Sequence, residues 1–323
     1  MKHLCALLLA VALSLGLYLT TFAFVVHKPL TVGVMRSYFT KKTAVLAAQR
    51  GRKVVILAGS NGRFSHRAET IGTGLGLPCV NMSIAANISL PFQVERLKPY
   101  LAAHDVVYLP LEYRTPSFAP DSVGGEGPYV MAYERRSLAL FHGRQRFEVL
   151  FYFDGRFLLS ALGEMALAAR GYERRFSVNT VSAWGDETGH SAAKGQAYAS
   201  YLRTLPQIVV APEPYESDRD WQDVIAFLEW ATAQRVVVIG GLPTTFEDTV
   251  LPPVVVSYLE RLYTSRGHYF VALPNRSLYP RSSFFDTPYH LCEEAMAAHS
   301  QQLVPALAAV LSKVPAAPPP TAP

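Results

Sequence analysis

The chain has 323 residues, which is long enough to bury a full core in one large domain or two smaller ones. Half of its residues are hydrophobic and only 17% are charged, a composition that excludes an intrinsically disordered chain. Its 3 cysteines are too few for a disulfide scaffold. The formal net charge of +5 does not come from a contiguous block of Lys or Arg residues, so the sequence does not indicate a nucleic-acid-binding protein.

The first part of the chain predicts a membrane anchor. Residues 4–26 carry no charge, and a helix of that length spans the ~30 Å hydrocarbon core of a bilayer. A cleaved signal peptide would have a shorter apolar region and small residues at its exit, whereas this run ends in Phe22-Ala23-Phe24-Val25-Val26. We therefore expect an uncleaved signal anchor over residues 1–30, followed by a polar, basic connector over residues 31–52.

Basic residues lie on both sides of this apolar run and leave its orientation open. Lys2 precedes the run, while Lys28, Arg36, Lys41 and Lys42 follow it, which weakly favours a cytoplasmic location for the rest of the chain. A long domain, however, is translocated largely regardless of such charges. The sequence contains no second run that could span a membrane. We expect a single-pass protein of the inner membrane with its main domain on the periplasmic side.

Downstream of the connector, short apolar β-branched runs alternate with helix-like stretches, which predicts a parallel α/β sheet. The strands are expected at residues 53–59, 80–84, 105–109, 235–239 and 268–273, and the helices at 63–75, 92–103, 222–233, 254–266 and from Glu293 onward. Together these elements predict a three-layer domain over residues 53–311, with helices on both faces of the sheet.

Residues 115–220 break this alternation and are interpreted as a mid-chain insertion. The segment begins Gly/Pro-rich and is rich in Arg and aromatic residues in its middle. It could form a lid or sugar-binding surface, or a subdomain that packs its own aromatic side chains. The tail over residues 312–323 is rich in Pro and Ala and is expected to be disordered.

Two short motifs carry the residue types of serine catalysis. Ser60 follows the first predicted strand, at the edge where parallel α/β sheets bind ligands, although Gly59-Ser60-Asn61-Gly62 is also typical of an ordinary turn. Asp286 and His290 lie together just before the last helix. A catalytic serine needs a base within reach and a carboxylate that fixes the tautomer of that base. Taken alone, the second motif favours a capping aspartate and a partly exposed histidine.

Taken together, the two motifs resemble the SGNH/GDSL hydrolases. The likeness extends to a branch found in bacterial envelope polysaccharide systems. The segments that resemble this branch are Leu57-Ala58-Gly59-Ser60-Asn61, Gly76–Ser83 and Tyr108–Tyr113. It covers roughly residues 53–113 and 235–311 and leaves out the insertion. Several branches of this superfamily are membrane-anchored and work beside membrane-bound O-acyltransferases.

The resemblance implies a role for each matched residue. Ser60 matches the nucleophile, His290 the general base and Asp286 the carboxylate that orients the base. The Ser60 N–H would be one oxyanion donor, and the Ala86 N–H or the Asn87 side chain would be another. The resemblance implies neither a cofactor nor a metal, and no Cys or His spacing in the sequence matches a zinc site.

The sequence departs from the family pattern in three ways. Asp286 and His290 are four residues apart where three is usual, and Cys292 stands where asparagine is common. The asparagine expected after the third strand is replaced by Leu111-Glu112-Tyr113. Glu112 could form hydrogen bonds across the strand ends, or pair with an arginine of the insertion, and the second interpretation is slightly favoured.

Two further expectations concern single side chains. His66 falls in the first predicted helix, where a solvent-exposed position is expected rather than one in the site. Cys79 and Cys292 are expected to be buried as small apolar residues, and their spacing leaves open whether they pair.

The sequence thus predicts a membrane-anchored, serine-dependent acyl transferase or esterase that acts on acetyl esters of an envelope or extracellular polysaccharide. Its expected partners are the polysaccharide acceptor and a membrane-bound O-acyltransferase. One alternative is a non-catalytic accessory component of a polysaccharide synthesis or export complex. Another is an esterase of lipids or small esters.

Overall fold

The computed structural model describes residues 2–27, 30–114, 125–151, 154–172 and 177–314. The beginning of the predicted insertion and the end of the Pro/Ala-rich tail lie outside these ranges. The chain divides into two compact units, each described here by itself. The anchor unit comprises Met1–Phe39 and Asp121–Val178, and the sheet unit comprises Thr40–Pro120 and Asn179–Pro323. The residues interpreted as one insertion are therefore divided between the two units.

The helices and strands follow one another along the chain. The helices are α1 (Lys2–Val25), α2 (Leu30–Ala48), α3 (Ser60–Ser65), α4 (Ala68–Leu75), α5 (Leu90–Leu97), α6 (Gly127–Tyr133), α7 (Gly143–Leu150), α8 (Gly155–Ala169), α9 (Ala192–Thr204), α10 (Gln222–Ala233), α11 (Pro253–Thr264) and α12 (Glu293–Leu311). The strands are β1 (Val54–Ile56), β2 (Cys79–Asn81), β3 (Val106–Leu109), β4 (Val237–Gly241), β5 (Thr245–Phe246), β6 (Tyr269–Val271) and β7 (Leu278–Tyr279).

The five main strands form one parallel sheet in the order β2-β1-β3-β4-β6. In its central register, Val55 of β1 lies between Val80 of β2 and Val107 of β3. The chain moves to one side of β1 to form β2 and to the other side to form β3. Such a change of direction opens a crevice at the carboxyl ends of the two diverging strands. The crevice therefore lies beyond Ile56 and Leu109.

Successive strand residues point to opposite faces of the sheet, and each face is covered by helices. Val55, Val107 and Val238 lie in one apolar cluster with side chains of α5, α10 and α11. Ile56 and Tyr108 lie in a second cluster with side chains of α4 and α12. The prediction of a parallel α/β sheet with helices on both faces is confirmed.

The predicted helix over residues 63–75 is in fact two helices, and the expectation of an exposed His66 is wrong. His66 ends α3 and is completely buried, with its Nε2 atom 3.2 Å from the Nε2 atom of His299. Burial lowers the pKa of His66 to about 3, so the ring is neutral. The side chain belongs to the core rather than to a solvated helix face.

The break between the two helices has a long-range cause. The Asp186 carboxylate accepts hydrogen bonds from the N–H groups of Ala68 and Glu69 at 2.7 and 3.1 Å, which caps the beginning of α4. Burial raises the pKa of Asp186 to about 6. Because the capping residue lies more than a hundred positions downstream, no local pattern could reveal where α4 begins.

The two cysteines of the sheet unit are both buried, as predicted, and they are not paired. Cys79 lies in the core of the sheet, and burial raises its pKa. Cys292 directly precedes α12, and burial raises its pKa as well. Both are kept in the neutral thiol form, which is unreactive.

The anchor unit begins with the apolar helix that the sequence predicted. Within the described ranges, α1 is the one helix that is long and apolar enough to cross a membrane. Most of its surface is exposed, whereas Phe22 and Val25 near its end are buried. The carboxyl end of α1 is therefore covered by protein.

Lys53 and Asp105 form a buried ion pair just before the amino ends of β1 and β3, and this pair allows a test of stability. The Lys53 Nζ atom lies 2.6 Å from the Asp105 carboxylate, and Asp105 also accepts the Lys53 N–H. Removing one member of a buried pair costs about 3–5 kcal/mol because a lone charge is left behind. We expect Asp105→Ala to lower the free energy of unfolding by about that amount in urea titrations.

The matched control is the double variant Lys53→Met/Asp105→Leu, which removes both charges together. We expect it to recover most of the stability that Asp105→Ala loses, because no charge remains unpaired. A double variant as unstable as the single one would show that packing, or the backbone hydrogen bonds that Asp105 accepts, rather than the unpaired charge, cause the loss.

Candidate active site

Ser60 begins α3 directly beyond the carboxyl end of β1, in the crevice of the sheet. It is partly exposed, whereas the three residues before it are buried. Gly59 has no room for a side chain, because a Cβ atom there would lie 2.5 Å from both the Ala86 Cα atom and a Glu112 carboxylate oxygen. The glycine lets the backbone of Ala86 and the Glu112 carboxylate approach the residue next to Ser60.

Asp286 and His290 form the pair that the sequence analysis proposed. The Asp286 Oδ1 atom lies 2.7 Å from the His290 Nδ1 atom, and both side chains are largely buried. The four-residue spacing still permits this contact because the loop closes on itself, with the Phe285 N–H donating to the His290 carbonyl at 2.7 Å. The carboxylate favours the tautomer with its proton on Nδ1, which leaves Nε2 able to accept a proton.

Helix α3 brings the histidine to the serine side of the crevice. The Phe64 ring stacks on the His290 ring with centroids 4.3 Å apart. Phe64 lies four residues after Ser60, so the two side chains share one face of the helix. His290 thus packs against the face of α3 that carries Phe64, while no hydrogen bond joins Ser60 and His290 in the described part of the chain.

The Ser65 hydroxyl fixes the backbone on both sides of His290. It donates to the Tyr289 carbonyl at 2.9 Å and accepts from the Leu291 N–H at 3.3 Å. It also accepts from the Thr244 hydroxyl at 2.7 Å, which completes its hydrogen-bonding capacity. The Asn61 side chain donates to Tyr289 O as well, at 3.1 Å. The loop that carries His290, called the histidine loop, is therefore held by Asn61, which follows Ser60 on α3, and by Ser65, which follows Phe64.

We expect Ser65→Ala to impair any activity that depends on His290 through the position of the loop. Three hydrogen bonds are lost, and the free energy of unfolding should fall by about 1–3 kcal/mol. Ser265→Ala, at an exposed position directly after α11, is the matched control. The Phe64–His290 contact can be followed by NMR of the His290 ring protons, whose shifts should change only in Ser65→Ala. Unchanged shifts would show that Phe64 alone positions the ring.

Glu112 follows β3 and faces the beginning of α3. Its carboxylate accepts the Asn61 N–H at 2.7 Å and the Gly59 N–H at 3.2 Å, so the strand-end interpretation is the one the structure shows. Burial raises the pKa of Glu112, and the two amide hydrogen bonds act in the opposite direction. The Ser60 N–H lies between these two paired amides.

The turn that carries Ala86 and Asn87 adjoins Gly59, the residue before Ser60. Both residues are exposed, and Ala86 approaches Gly59 as described above. The Lys42 Nζ atom fixes the chain leading into this turn, donating to Asn81 O at 3.0 Å and Ser83 O at 2.7 Å. Lys42 is completely buried, which lowers its pKa to about 7.

A polar segment that the sequence did not reveal packs against α3 and α4. In residues 182–190, Asp186 caps α4, and Glu187 forms a buried ion pair with Arg63 of α3 at 2.6 Å. His190 packs edge-on against Phe64, and among the described residues its two ring nitrogens have no hydrogen-bond partner. Burial lowers the pKa of His190 to about 4. The density of Asp, Glu, His and Gly in this segment was the signal that could have revealed it.

Comparison with known proteins assigns no family, since no family model and no curated protein matches the chain. In the ranges described above, no group of three or more His, Cys, Asp or Glu side chains is placed to hold a metal ion. The protein is therefore classified by its own fold and side-chain arrangement. It is a parallel α/β protein with one apolar N-terminal helix and a buried Asp–His pair packed on the helix that Ser60 begins.

Proposed function

We propose that this protein is a membrane-anchored acyl ester transferase or esterase that works through an acyl-serine at Ser60. The observation that carries the proposal is the stacking of the His290 ring on Phe64, one helical turn from Ser60. The Asp286 hydrogen bond to His290 is the second support. Serine, histidine and carboxylate together are the groups that serine-dependent acyl transfer requires.

The proposed reaction has two steps with the same histidine. Ser60 Oγ attacks the carbonyl carbon of the ester while its proton passes to His290 Nε2, and the ester C–O bond then breaks as that proton goes to the departing alcohol. In the second step His290 takes a proton from water or a sugar hydroxyl, which attacks the acyl carbon. The bond from that carbon to Ser60 Oγ then breaks as His290 returns the proton to Oγ. Water gives hydrolysis, and a sugar hydroxyl gives transfer.

The oxyanion donors of this proposal come from three places. The Ser60 N–H directly follows Gly59, the Ala86 N–H belongs to the residue whose Cα atom adjoins Gly59, and the Asn87 side chain belongs to the same exposed turn as Ala86. Glu112 stands where the related hydrolases have an asparagine. We propose that Glu112 acts in its protonated form, as a hydrogen-bond donor to the oxyanion, since its burial favours the neutral acid.

The substrate and location rest on the resemblance to SGNH/GDSL hydrolases of envelope polysaccharide systems. We propose that an acetyl ester of an envelope polysaccharide is the product of transfer, with a membrane-bound O-acyltransferase as the source of acyl groups, or else the substrate of hydrolysis. Helix α1 would cross the inner membrane and the sheet unit would lie on the periplasmic side. Tethering supports transfer over simple hydrolysis, because an acceptor chain and a membrane partner must both be reached.

The proposal is tested with the full chain in nanodiscs, supplied with 4-nitrophenyl acetate and an acetyl-free oligosaccharide. We expect slow release of 4-nitrophenol, an acetyl group on the Ser60 peptide by mass spectrometry, and acetyl-oligosaccharide at the expense of acetate. Acetate alone, whatever acceptor is added, would make the protein an esterase. A chain that never acquires acetyl at Ser60 would favour the non-catalytic accessory role.

A further inference from the structure

The anchor unit exposes large apolar side chains close to its apolar helix. Phe147 of α7 is 63% exposed and Phe151, just after α7, is 53% exposed. On α8, Leu159 is 72% exposed and Leu162 is 48% exposed. We call these four residues the apolar stripe. The Phe147 and Phe151 rings are in contact, with centroids 4.4 Å apart. Several large apolar side chains exposed on two consecutive helices are typical of a surface that meets another apolar phase.

Helix α8 has the reverse of the polarity expected in water. Its outward positions at 159, 162, 163, 166 and 167 recur at helical spacing and are all uncharged. Its one acidic residue, Glu164, is half-buried and accepts from the Thr31 hydroxyl at 2.9 Å and the Thr31 N–H at 3.1 Å. The water-facing helix α9 of the sheet unit, by contrast, exposes Lys194 and Arg203.

A hydrogen bond ties α7 to α1 well before α1 ends. The Tyr18 hydroxyl donates to the carbonyl of Leu150 at 2.7 Å, and the Tyr18 and Phe151 rings lie 6.1 Å apart. Tyr18 lies seven residues before Val25, which is about 10 Å along the helix axis. Leu150 ends α7, so its carbonyl has no partner within that helix. A hydroxyl and a carbonyl that would both be costly in lipid satisfy each other here.

We propose that α8 and the Leu150 end of α7 lie in the leaflet at the Val25 end of α1, with the apolar stripe in contact with lipid acyl chains and the exposed Arg144 and Arg146 of α7 at the headgroup level. The inference rests on the part of the proposed function in which α1 crosses a bilayer. The contact at Tyr18 then places Leu150 and Phe151 at acyl-chain depth. Arg156 and Arg170 are exposed at the two ends of α8, where they can reach lipid phosphates at the headgroup level.

Tryptophan fluorescence in the full chain tests this proposal. The three native tryptophans all lie in the sheet unit, so they give a constant background. Leu159→Trp is placed in nanodiscs of ordinary phospholipid or of phospholipid brominated on its acyl chains. We expect brominated lipid to remove most of the emission that the new tryptophan adds, and aqueous iodide to have little effect on it. Leu162→Trp is the second reporter, should Leu159→Trp fold poorly.

Two control variants separate this proposal from the anchor itself. Leu13→Trp reports on α1, and Tyr201→Trp, at an exposed position of α9, should be quenched by iodide and not by bromine. Quenching by bromine at position 13 but not at position 159 would overturn the inference and leave the anchor in place. If brominated lipid quenches the tryptophan at neither position, both this inference and the proposed membrane crossing of α1 are overturned. A tryptophan at 159 that neither bromine nor iodide reaches would also overturn it, because a protein partner would then cover the stripe.

Discussion

Replacing Ser60 by alanine is expected to abolish ester chemistry while leaving the fold intact. Without the hydroxyl no acyl-serine forms, and activity should fall by about 10⁴-fold or more. Labelling by a fluorophosphonate, which reacts with activated serines, should disappear with it. Ser60 is partly exposed and does not cap α3 through its side chain, so the free energy of unfolding should change by about 0.5 kcal/mol or less.

The control for this prediction is Ser282→Ala, at an exposed position in the same loop region as Asp286. It should retain full labelling. Labelling that survives in Ser60→Ala would place the nucleophile elsewhere. If the unsubstituted chain is not labelled at all, the accessory role gains support, and the acetylation experiment in nanodiscs decides between a closed crevice and an inert one.

Replacing Glu112 is expected to change the pH dependence of activity. In the proposed mechanism Glu112 donates to the oxyanion as the protonated acid, so activity should fall as pH rises through the raised pKa of that carboxyl group. A carboxylate at this position would repel the oxyanion. Glutamine donates a hydrogen bond at every pH, so Glu112→Gln should remain active and lose the alkaline decline.

The companion variant Glu112→Ala removes the donor and should lower kcat by about 100-fold, the usual effect of losing one oxyanion donor. Glu260→Gln, at an exposed position on α11, should leave the pH profile unchanged. Complete pH profiles of kcat/KM for the variants are the measurement. An alkaline decline that persists in Glu112→Gln, or full activity in Glu112→Ala, would limit Glu112 to holding the Gly59 and Asn61 amides in place.

Elements with strong local signals were predicted accurately from the sequence. The apolar run before Gly59 became β1, and α10 has the predicted bounds because its apolar face and its ends are encoded locally. Gly76 ends α4 in the left-handed conformation, as its position after the helix suggested. The parallel arrangement followed from the alternation of strands and helices.

The features that the sequence did not reveal depend on partners far away in the chain. The beginning of α4 is set by Asp186, and the burial of His66 is set by its contact with His299. Glu112 had two interpretations, because only the register of β1 and β3 shows which group its carboxylate meets. The Asp–His contact at an uncommon spacing depends on the closure of one loop, which no pattern of residue types encodes.

The hydrogen bonds between α3 and the histidine loop also affect when the candidate site can form during synthesis. The hydrogen bonds of Asn61 and Ser65 to Tyr289 join residues 228 and 224 positions apart. Contacts of such sequence separation form late, because a long loop must close before they yield any stabilisation. During synthesis Ser60 emerges more than two hundred residues before the loop that carries His290. The candidate site is therefore assembled only after that loop has been made, and chains truncated before it should carry no acyl chemistry.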